Sequence, residues 1–145
     1  QMLGRWGNFF NREAFGGFTN GLLAMRLQMS QVRTSDISAE VMQHIVNYGG
    51  VDYIQVHPTF LYESLWNLAL LLLLLAFFNK RRFEGEVFLW YLAGYGIGRF
   101  WIESLRTDQL LMPVIGYPVS MAVAAILTAV AVVWIIIGRK RSKRN

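Results

Sequence analysis

The segment TFLYESLWNLALLLLLLAFF, residues 59–78, decides the fold class of this 145-residue chain. Glu63 is its one charged residue, and leucine occupies every position from 70 to 75. A helix of about 20 predominantly apolar residues crosses the ~30 Å hydrocarbon core of a bilayer. We therefore predict that residues 59–78 form a membrane-spanning helix.

Two more apolar runs follow. Residues 119–138 carry no charge and are long enough to span a bilayer. Residues 87–102 are shorter and contain one charge, Arg99, so they can span only if that guanidinium faces the protein interior. The three runs together predict an all-α polytopic membrane protein with three transmembrane helices in the region 58–145.

Basic residues cluster beside the predicted spans, in the loop at 80–82 and in the tail at 139–144. The positive-inside rule places both clusters in the cytoplasm, and three spans bring both segments to the same side. The C-terminus is then cytoplasmic, whereas residues 1–57 and the loop 104–118 lie on the outer face. Because these clusters supply much of the net charge of +5, that charge favours contact with anionic membrane lipids over nucleic-acid binding.

The chain contains no cysteine. A disulfide framework, a thiolate metal site and a cysteine nucleophile of its own are therefore excluded. The sequence opens at Gln1 without the pattern of a signal peptide and enters a glycine–arginine segment almost at once. We expect the chain to be the C-terminal part of a larger protein.

Residues 17–57 have a mixed composition and are predicted to form a small outer-face subdomain on the membrane. Val41, Ile45 and Tyr48 recur at helical spacing, so we predict a helix over 38–48 that Gly49 and Gly50 end as a C-cap. Residues 51–56 alternate weakly between apolar and polar side chains, which predicts a short extended segment.

The opening segment GRWGNFFNREAFG, residues 4–16, differs from the rest of the chain in its polar residues. Arginine offers a forked, permanently charged donor, and glycine lets the backbone approach a ligand closely. This composition indicates a backbone folded tightly around an anion, and beside a bilayer that anion is a lipid headgroup phosphate. We therefore predict that residues 1–16 bind a phospholipid headgroup.

Four polar side chains recur on one face of the second predicted span: Tyr95, Arg99, Glu103 and Arg106. Such a face indicates a polar cavity, because ionisable side chains inside a membrane helix are usually functional. The alternative is that Arg99 and Glu103 form only a structural i,i+4 pair near the helix end. Glycines at 94, 96 and 98 would let a neighbouring helix or a lipid chain approach closely.

The start of the first span, HPTFLYE at 57–63, holds two further candidates. Glu63 lies inside an apolar helix and needs a cationic partner, for which the arginines of the opening segment and of the second span are available. His57 is either a hydrogen-bonding residue beside the helix start or a general base. We assign His44, on the predicted short helix, a structural role.

These segments resemble the bacterial phosphatidylglycerol–prolipoprotein diacylglyceryl transferases. Residues 4–16 match the family pattern G-R-x-G-N-F-x-N-x-E-x-x-G at its constrained positions. The blocks HP-x-x-LYE at 57–63 and GYG-x-x-R-x-x-x-E-x-x-R at 94–106 resemble two more blocks of the family, in the same order. The resemblance extends over essentially the whole chain.

The resemblance implies a bacterial plasma-membrane enzyme that transfers diacylglycerol from phosphatidylglycerol to the lipobox cysteine of a prolipoprotein. A thioether forms, glycerol phosphate leaves, and neither a cofactor nor a metal is expected. Arg5 and Arg99 match the family's functional arginines and would bind the phosphate through bidentate hydrogen bonds. Asn8 would orient the headgroup, and Tyr95 would assist proton transfer.

The remaining matched residues are given supporting roles by the resemblance. Glu13 and Glu103 would hold the arginines, Arg106 would complete the polar face, and Gly16 closes the headgroup-binding motif. The family also carries a His-Gly-Gly block whose histidine is the favoured base, and this chain lacks it. We therefore expect the fragment alone to be inactive, with the base in an N-terminal part.

Two other functions compete with the transferase. A non-catalytic phospholipid-binding membrane module would use the same arginines to hold a headgroup without chemistry. A channel or transporter fragment would need polar residues along the third span, where Ser120 and Thr128 are the polar side chains.

Overall fold

The computed structural model describes residues 1–107, 109, 116 and 118–143, and it divides into two compact units. We call them the sheet unit, Gln1–Ser64 with Ser104–Gln109, and the helix unit, Leu65–Glu103 with Leu110–Asn145. Residues 108, 110–115 and 117 of the predicted outer-face loop, and Arg144 of the basic tail, lie outside the described residues.

A three-stranded antiparallel sheet forms the centre of the sheet unit. Its strands are β1 (Met25–Gln28), β2 (Val46–Tyr48) and β3 (Val51–Val56), in the order β1-β3-β2. Alternate residues of a strand point to the same face, and in β3 this buries Ile54 and Val56 completely. The predicted helical character of the chain is confirmed, because the chain is mostly helical, but the all-α description needs a correction to include this small sheet.

The core of the sheet unit draws on both strands and loops. Its buried side chains are Phe15, Leu27, Val32, Val41, Ile54 and Val56. The short elements around it are α1 (Arg5–Asn11), α2 (Ala39–Met42) and two 3₁₀ turns at Met29–Gln31 and Thr34–Asp36. Residues 17–57 thus form a packed core together with Phe15, which lies outside the predicted subdomain boundary.

The predicted helix over 38–48 is wrong beyond its first turn. Ser38 caps α2 by accepting a hydrogen bond from the Val41 N–H, but α2 ends at Met42 and β2 follows. Gly49 and Gly50, with φ of 60° and 84°, form the two-residue turn of the β2–β3 hairpin and do not cap a helix. The predicted extended segment at 51–56 is confirmed as β3.

Three long helices follow the sheet. They are α3 (Thr59–Phe77), which begins in the sheet unit and continues in the helix unit, α4 (Glu86–Leu105) and α5 (Val119–Ser142). The predicted helices at 59–78, 87–102 and 119–138 are therefore confirmed as helices, although α4 and α5 extend further than the apolar runs. The helix α4 also includes the charged residues Glu86 and Glu103, and α5 continues through the basic residues at 139–141.

Two of these helices have the length and composition to cross a membrane, over Thr59–Lys80 and Val119–Ser142. In each, 22% of the most apolar stretch is buried, so most of its leucine, isoleucine and valine surface is exposed and suited to lipid. The helix α4, which includes Glu86, Arg99 and Glu103, is not apolar enough to join them. The count of three spans therefore stays a prediction.

Glycines let α4 pack closely within the helix unit, as the sequence predicted. A Cβ on Gly98 would overlap the indole of Trp66, and one on Gly96 would overlap the Thr128 hydroxyl of α5. The Trp66 Nε1–H donates a 2.9 Å hydrogen bond to the Gly94 carbonyl. Small residues bring helices close enough for such contacts, which hold α4 to both of its neighbours.

Candidate functional site

The opening motif forms a short helix where a tight anion-binding loop was predicted. Helix α1 covers Arg5–Asn11, and the chain then turns through Arg12 and Ala14, which have φ of 53° and 55°. Non-glycine residues rarely adopt positive φ, so these two positions mark a tightly constrained turn. The turn carries the chain from α1 to Phe15 and Gly16, which are buried.

Arg5 on α1 pairs with Glu63 on α3. Its Nε lies 2.8 Å from Glu63 Oε2, and the two side chains are 25% and 7% exposed. A buried carboxylate in an apolar helix is costly unless it is paired, and this contact supplies a partner. The prediction that Glu63 meets an arginine is confirmed, and that arginine comes from the opening motif.

Gly16 lies where three segments of the sheet unit meet. It forms an antiparallel bridge with Arg106, and its N–H donates a 3.0 Å hydrogen bond to the His57 carbonyl. A Cβ at this position would lie 2.7 Å from both His57 Cβ and the Leu105 carbonyl oxygen. Only glycine fits here without displacing backbone, so Gly16 sets how closely the motif approaches the start of α3 and the end of α4.

The i+11 spacing predicted that Arg106 lies on α4 with the other polar residues, and this prediction is wrong. The helix ends at Leu105, and Arg106 belongs to the bridge with Gly16 in the sheet unit. The next residue, Thr107, donates a 2.8 Å hydrogen bond from its hydroxyl to the Asp36 carbonyl and a 3.4 Å hydrogen bond from its backbone N–H to the Phe15 carbonyl. The segment after α4 is thereby fixed to the sheet unit.

His57 makes hydrogen bonds through both its backbone and its side chain. Its N–H donates to the Gly17 carbonyl at 3.0 Å, and a 3.0 Å hydrogen bond joins its Nδ1 to the Tyr62 hydroxyl. The contact with Tyr62 is the kind of hydrogen bond that the first interpretation of His57 predicted, and its role as a general base stays a prediction. The ring of His44 stacks on Phe18, with the ring centroids 3.8 Å apart, and its structural role stays a prediction.

Asn8 and Glu13 do not contact Arg5 through the hydrogen bonds and ion pairs of the described residues. The Asn8 carbonyl accepts hydrogen bonds from Arg12 and Glu13 at the end of α1. The Glu13 carboxylate accepts a 3.2 Å hydrogen bond from the Asn11 amide. The structure thus gives Glu63 the position beside Arg5 that the sequence assigned to Glu13.

Arg99 and Glu103 form the second arginine–carboxylate pair, in the helix unit. Arg99 Nη2 lies 2.9 Å from Glu103 Oε2, and their side chains are 20% and 4% exposed. Tyr95, one turn before Arg99, stacks on Tyr91 with ring centroids 5.9 Å apart. Glu103 therefore contacts Arg99, as predicted. The two residues are one turn apart on α4, so the helix itself brings them together.

Sequence reasoning missed two hydroxyls that anchor the opening segment to α3. Thr59 donates from Oγ1 to the Ala14 carbonyl, and Ser64 donates to the Met2 carbonyl at 2.9 Å. Both are buried, with exposures of 2% and 5%. The sequence feature that could have revealed them is a hydroxyl residue on each side of Glu63 in a leucine-rich helix, because a buried polar group there needs a hydrogen-bond partner.

Aromatic rings cover the side of α1 next to α3. Phe60 lies 5.3 Å from the Trp6 ring and 4.9 Å from the Phe9 ring, measured between centroids. Aromatic pairs at these separations add stabilisation beyond the area that they bury. The Arg5–Glu63 pair is therefore accompanied by an apolar contact between the same two helices.

A model of the family described as prolipoprotein diacylglyceryl transferase matches residues 1–137. This chain belongs to that family. Proteins named phosphatidylglycerol–prolipoprotein diacylglyceryl transferase from Bacillus cytotoxicus and Bacillus cereus are 41% and 38% identical to it, over 147 and 145 aligned residues. Both alignments include 100% of this chain and 48% of the relative, so the chain spans about half the length of these relatives. No solved structure matches it.

In this member of the prolipoprotein diacylglyceryl transferase family, the predicted residues divide between the two units. The sheet unit holds two groups of predicted residues, the Arg5–Glu63 pair and the junction of Gly16, His57 and Arg106. The helix unit holds Tyr95, Arg99 and Glu103 on successive turns of α4. Among these predicted residues, Glu63 in the sheet unit and Glu103 in the helix unit are buried carboxylates, and each fixes one partly exposed guanidinium.

Proposed function

We propose that this chain forms the phosphate-binding part of an enzyme that transfers diacylglycerol from phosphatidylglycerol to a prolipoprotein cysteine. The observation that carries the proposal is the pair of arginines, each held by a buried carboxylate within a family of that name. A guanidinium fixed in this way is an oriented donor, and it needs little reorganisation when phosphate charge develops. Relatives named for the same reaction support the assignment.

The reaction replaces a carbon–oxygen bond with a carbon–sulfur bond. The lipobox thiol loses its proton to a base, and the thiolate attacks the glycerol carbon that bears the phosphate. That carbon–oxygen bond breaks, the electron pair stays on the phosphate oxygen, and glycerol phosphate leaves. Arg5 of the sheet unit and Arg99 of the helix unit are each proposed to bind phosphate, because a guanidinium can donate two parallel hydrogen bonds to it.

The other residues have supporting roles in the proposal. Glu63 fixes Arg5 through its Nε, so the terminal nitrogens of Arg5 are the donors that would meet a phosphate. Asn8, half-buried on α1, would orient the headgroup, and Tyr95 would assist proton transfer. Glu13, Gly16 and Arg106 would shape the motif around the headgroup. The base would come from a part of the protein outside this chain.

The proposed setting is the bacterial plasma membrane, with the sheet unit outward and the C-terminus cytoplasmic. A reporter fused after residue 145 in the complete protein should then be active in the cytoplasm. An external reporter would overturn this orientation. The observation that supports it is the concentration of basic residues near the end of α5.

The decisive test of function is lipidation by the complete purified protein, measured with phosphatidylglycerol and a lipobox peptide. We expect Arg99→Ala to abolish transfer, and Arg99→Lys to restore only part of it because lysine keeps the charge but loses the fork. Near-normal transfer by Arg99→Ala would exclude the phosphate role of Arg99. If the complete wild-type protein binds phosphatidylglycerol without transferring it, the non-catalytic lipid-binding module is the correct function.

A further inference from the structure

A cavity of about 510 Å³ opens within the helix unit, between α3, α4 and α5. Its walls are apolar side chains of three helices, among them Leu73 of α3, Ile97 of α4 and Val132 of α5. This volume falls within the ~300–1,000 Å³ typical of sites for small organic ligands. The cavity can therefore hold a sizeable apolar group.

One end of the cavity is cationic. Lys80 and Arg81, which follow α3, and Arg139 near the end of α5 contribute to its lining. Glu86 is the carboxylate among the described lining residues, and its Oε1 lies 2.6 Å from Arg139 Nε. One of the three positive charges is thus neutralised inside the protein, which leaves Lys80 and Arg81 for a ligand.

Lys80 and Arg81 are exposed and lie on aromatic rings. The Lys80 ammonium lies 5.4 Å from the Phe77 ring centroid, and the Arg81 guanidinium 4.6 Å from that of Phe78. Such cation–π contacts keep both charges at the end of the apolar wall. A row of leucines followed by two cations matches the order of groups in a phospholipid, an acyl chain followed by a phosphate.

This cationic end is remote from the proposed catalytic pair of the same unit. Glu86 and Arg99 both lie on α4, and thirteen residues at 1.5 Å per residue separate them by ~20 Å along the helix. A lipid phosphate at Lys80 and Arg81 would therefore lie about a leaflet's thickness from the Arg99–Glu103 pair. The cationic end of the cavity is therefore a different headgroup position from the one proposed for the reaction, although the apolar wall extends along α4 as far as Ile97.

We propose that this cavity is a second phospholipid site, which holds one acyl chain of an anionic lipid from the adjacent leaflet while Lys80 and Arg81 bind its phosphate. The bound lipid is a resident and not the lipid that reacts. Its acyl chain fills the apolar space between the helices. Arg139, fixed by Glu86, closes the polar end of the cavity.

Photo-crosslinking of the complete protein in phosphatidylcholine vesicles tests this site. The probes are phosphatidic acid and phosphatidylcholine that carry the same diazirine-labelled acyl chain, and labelled peptides are mapped by mass spectrometry. We expect phosphatidic acid to label the peptides that contain Leu73 and Val132 about tenfold more than phosphatidylcholine does, because each cation near an anionic headgroup strengthens its binding. Equal labelling by the two probes would overturn the proposal.

Matched variants separate the headgroup contact from general charge effects. Lys80→Gln/Arg81→Gln should reduce phosphatidic acid labelling to the phosphatidylcholine level. Lys140→Gln/Arg141→Gln removes the same charge from exposed residues that do not line the cavity, and it should leave the labelling unchanged. An equal loss in both variants would show that the charge acts through the membrane surface and would refute the site.

A second pair of variants tests the acyl chain. Ala69→Trp fills the cavity from an exposed position, whereas Ala76→Trp adds the same side chain to an exposed position outside the lining. Labelling by both probes should fall in the first variant only. Absence of lipid labelling in the wild-type protein, with the same peptides crosslinked to another protein segment, would show that protein and not lipid fills the space.

Discussion

The two arginine–carboxylate pairs of the candidate site, Arg5–Glu63 and Arg99–Glu103, have the same chemistry and different origins. Arg5 and Glu63 come from helices far apart in the sequence and meet at 2.8 Å, whereas Arg99 and Glu103 are one turn apart on α4 and meet at 2.9 Å. Both carboxylates are almost fully buried, and both guanidiniums keep a fifth to a quarter of their surface exposed. The first pair depends on the packing of α1 against α3, and the second needs only a formed helix.

The largest expected effect distinguishes a catalytic arginine from an anchoring one. Arg5→Ala in the complete protein should lower diacylglyceryl transfer by at least about a hundredfold, as the loss of a preorganised donor to developing charge does. The measurement is the initial rate of lipobox peptide modification. Arg33→Ala, which removes an exposed arginine of the same unit, is the control and should transfer at the wild-type rate. Equal transfer rates for the two variants would exclude a role of Arg5 in the reaction and leave it only a structural role.

The next prediction compares the two carboxylates. Glu63→Gln removes the charge that holds α1, so amide hydrogen exchange across Arg5–Asn11 should accelerate about tenfold, as expected when a hydrogen bond to a charged group is lost. Glu103→Gln should leave exchange along α4 unchanged, because the backbone bonds of that helix do not depend on the pair. Transfer should fall in both variants. If α1 is equally protected in both, the Arg5–Glu63 pair does not hold α1.

A steric test concerns the meeting point of the sheet unit. Gly16→Ala places a methyl group 2.7 Å from His57 Cβ and the Leu105 carbonyl, and we expect a destabilisation of about 1–3 kcal/mol. Gly17→Ala meets no atom within 4 Å and is the matched control. Denaturation of both variants in the same detergent gives the difference. A stable Gly16→Ala protein would show that this junction tolerates expansion.

The smallest expected effect is a pH dependence at the cationic end of the helix unit, just before the predicted span at 87–102. Burial opposes the ionisation of Glu86, but hydrogen bonds from the Arg82 N–H, Arg139 and Trp90 outweigh it and hold the pKa of this carboxyl below its usual range. A lowered folded-state pKa stabilises the protein above the unfolded pKa, and this stabilisation is lost as the pH falls through the folded value. Thermal stability should therefore decline on acidification below about pH 4.

Glu86→Gln is the variant that checks this assignment. It removes the titrating group while keeping the shape of the side chain, so its stability should depend less on pH in the same acidic range. Glu84→Gln, at an exposed position two residues before Glu86 in the turn that precedes α4, should keep the wild-type profile. Identical profiles for Glu86→Gln and the wild-type protein would assign the acid sensitivity to other groups.

Local features of the site were predictable where the helix itself brings the residues together. The i,i+4 spacing of Arg99 and Glu103 predicted their contact, and the glycines of α4 predicted its close packing. The same reasoning failed for Arg106, because the helix ends one residue earlier. It also failed at 38–48, where helical spacing of three apolar residues coincides with a strand and a two-glycine turn.

Long-range features followed only in part from the sequence. A carboxylate in a leucine-rich helix needs a partner, so an arginine for Glu63 was expected, but the choice of Arg5 required the fold. The junction of Gly16, His57 and Arg106 had no local signal, since it depends on three segments that meet through backbone hydrogen bonds. Thr59 and Ser64 were missed for the same reason, because their acceptors lie on a distant segment.

The sequence by itself determined the apolar helices, the family through its motifs, and the pair on α4, because apolar length and helical spacing are properties of neighbouring residues. The tertiary structure decided the sheet, the partner of Glu63 and the steric need for glycine at 16. It also brought the leucines of α3 and the cations that follow them into one cavity with Arg139. These features depend on contacts between residues that are far apart in the sequence. The free energy of burying and pairing such residues selects their partners only when the chain is folded.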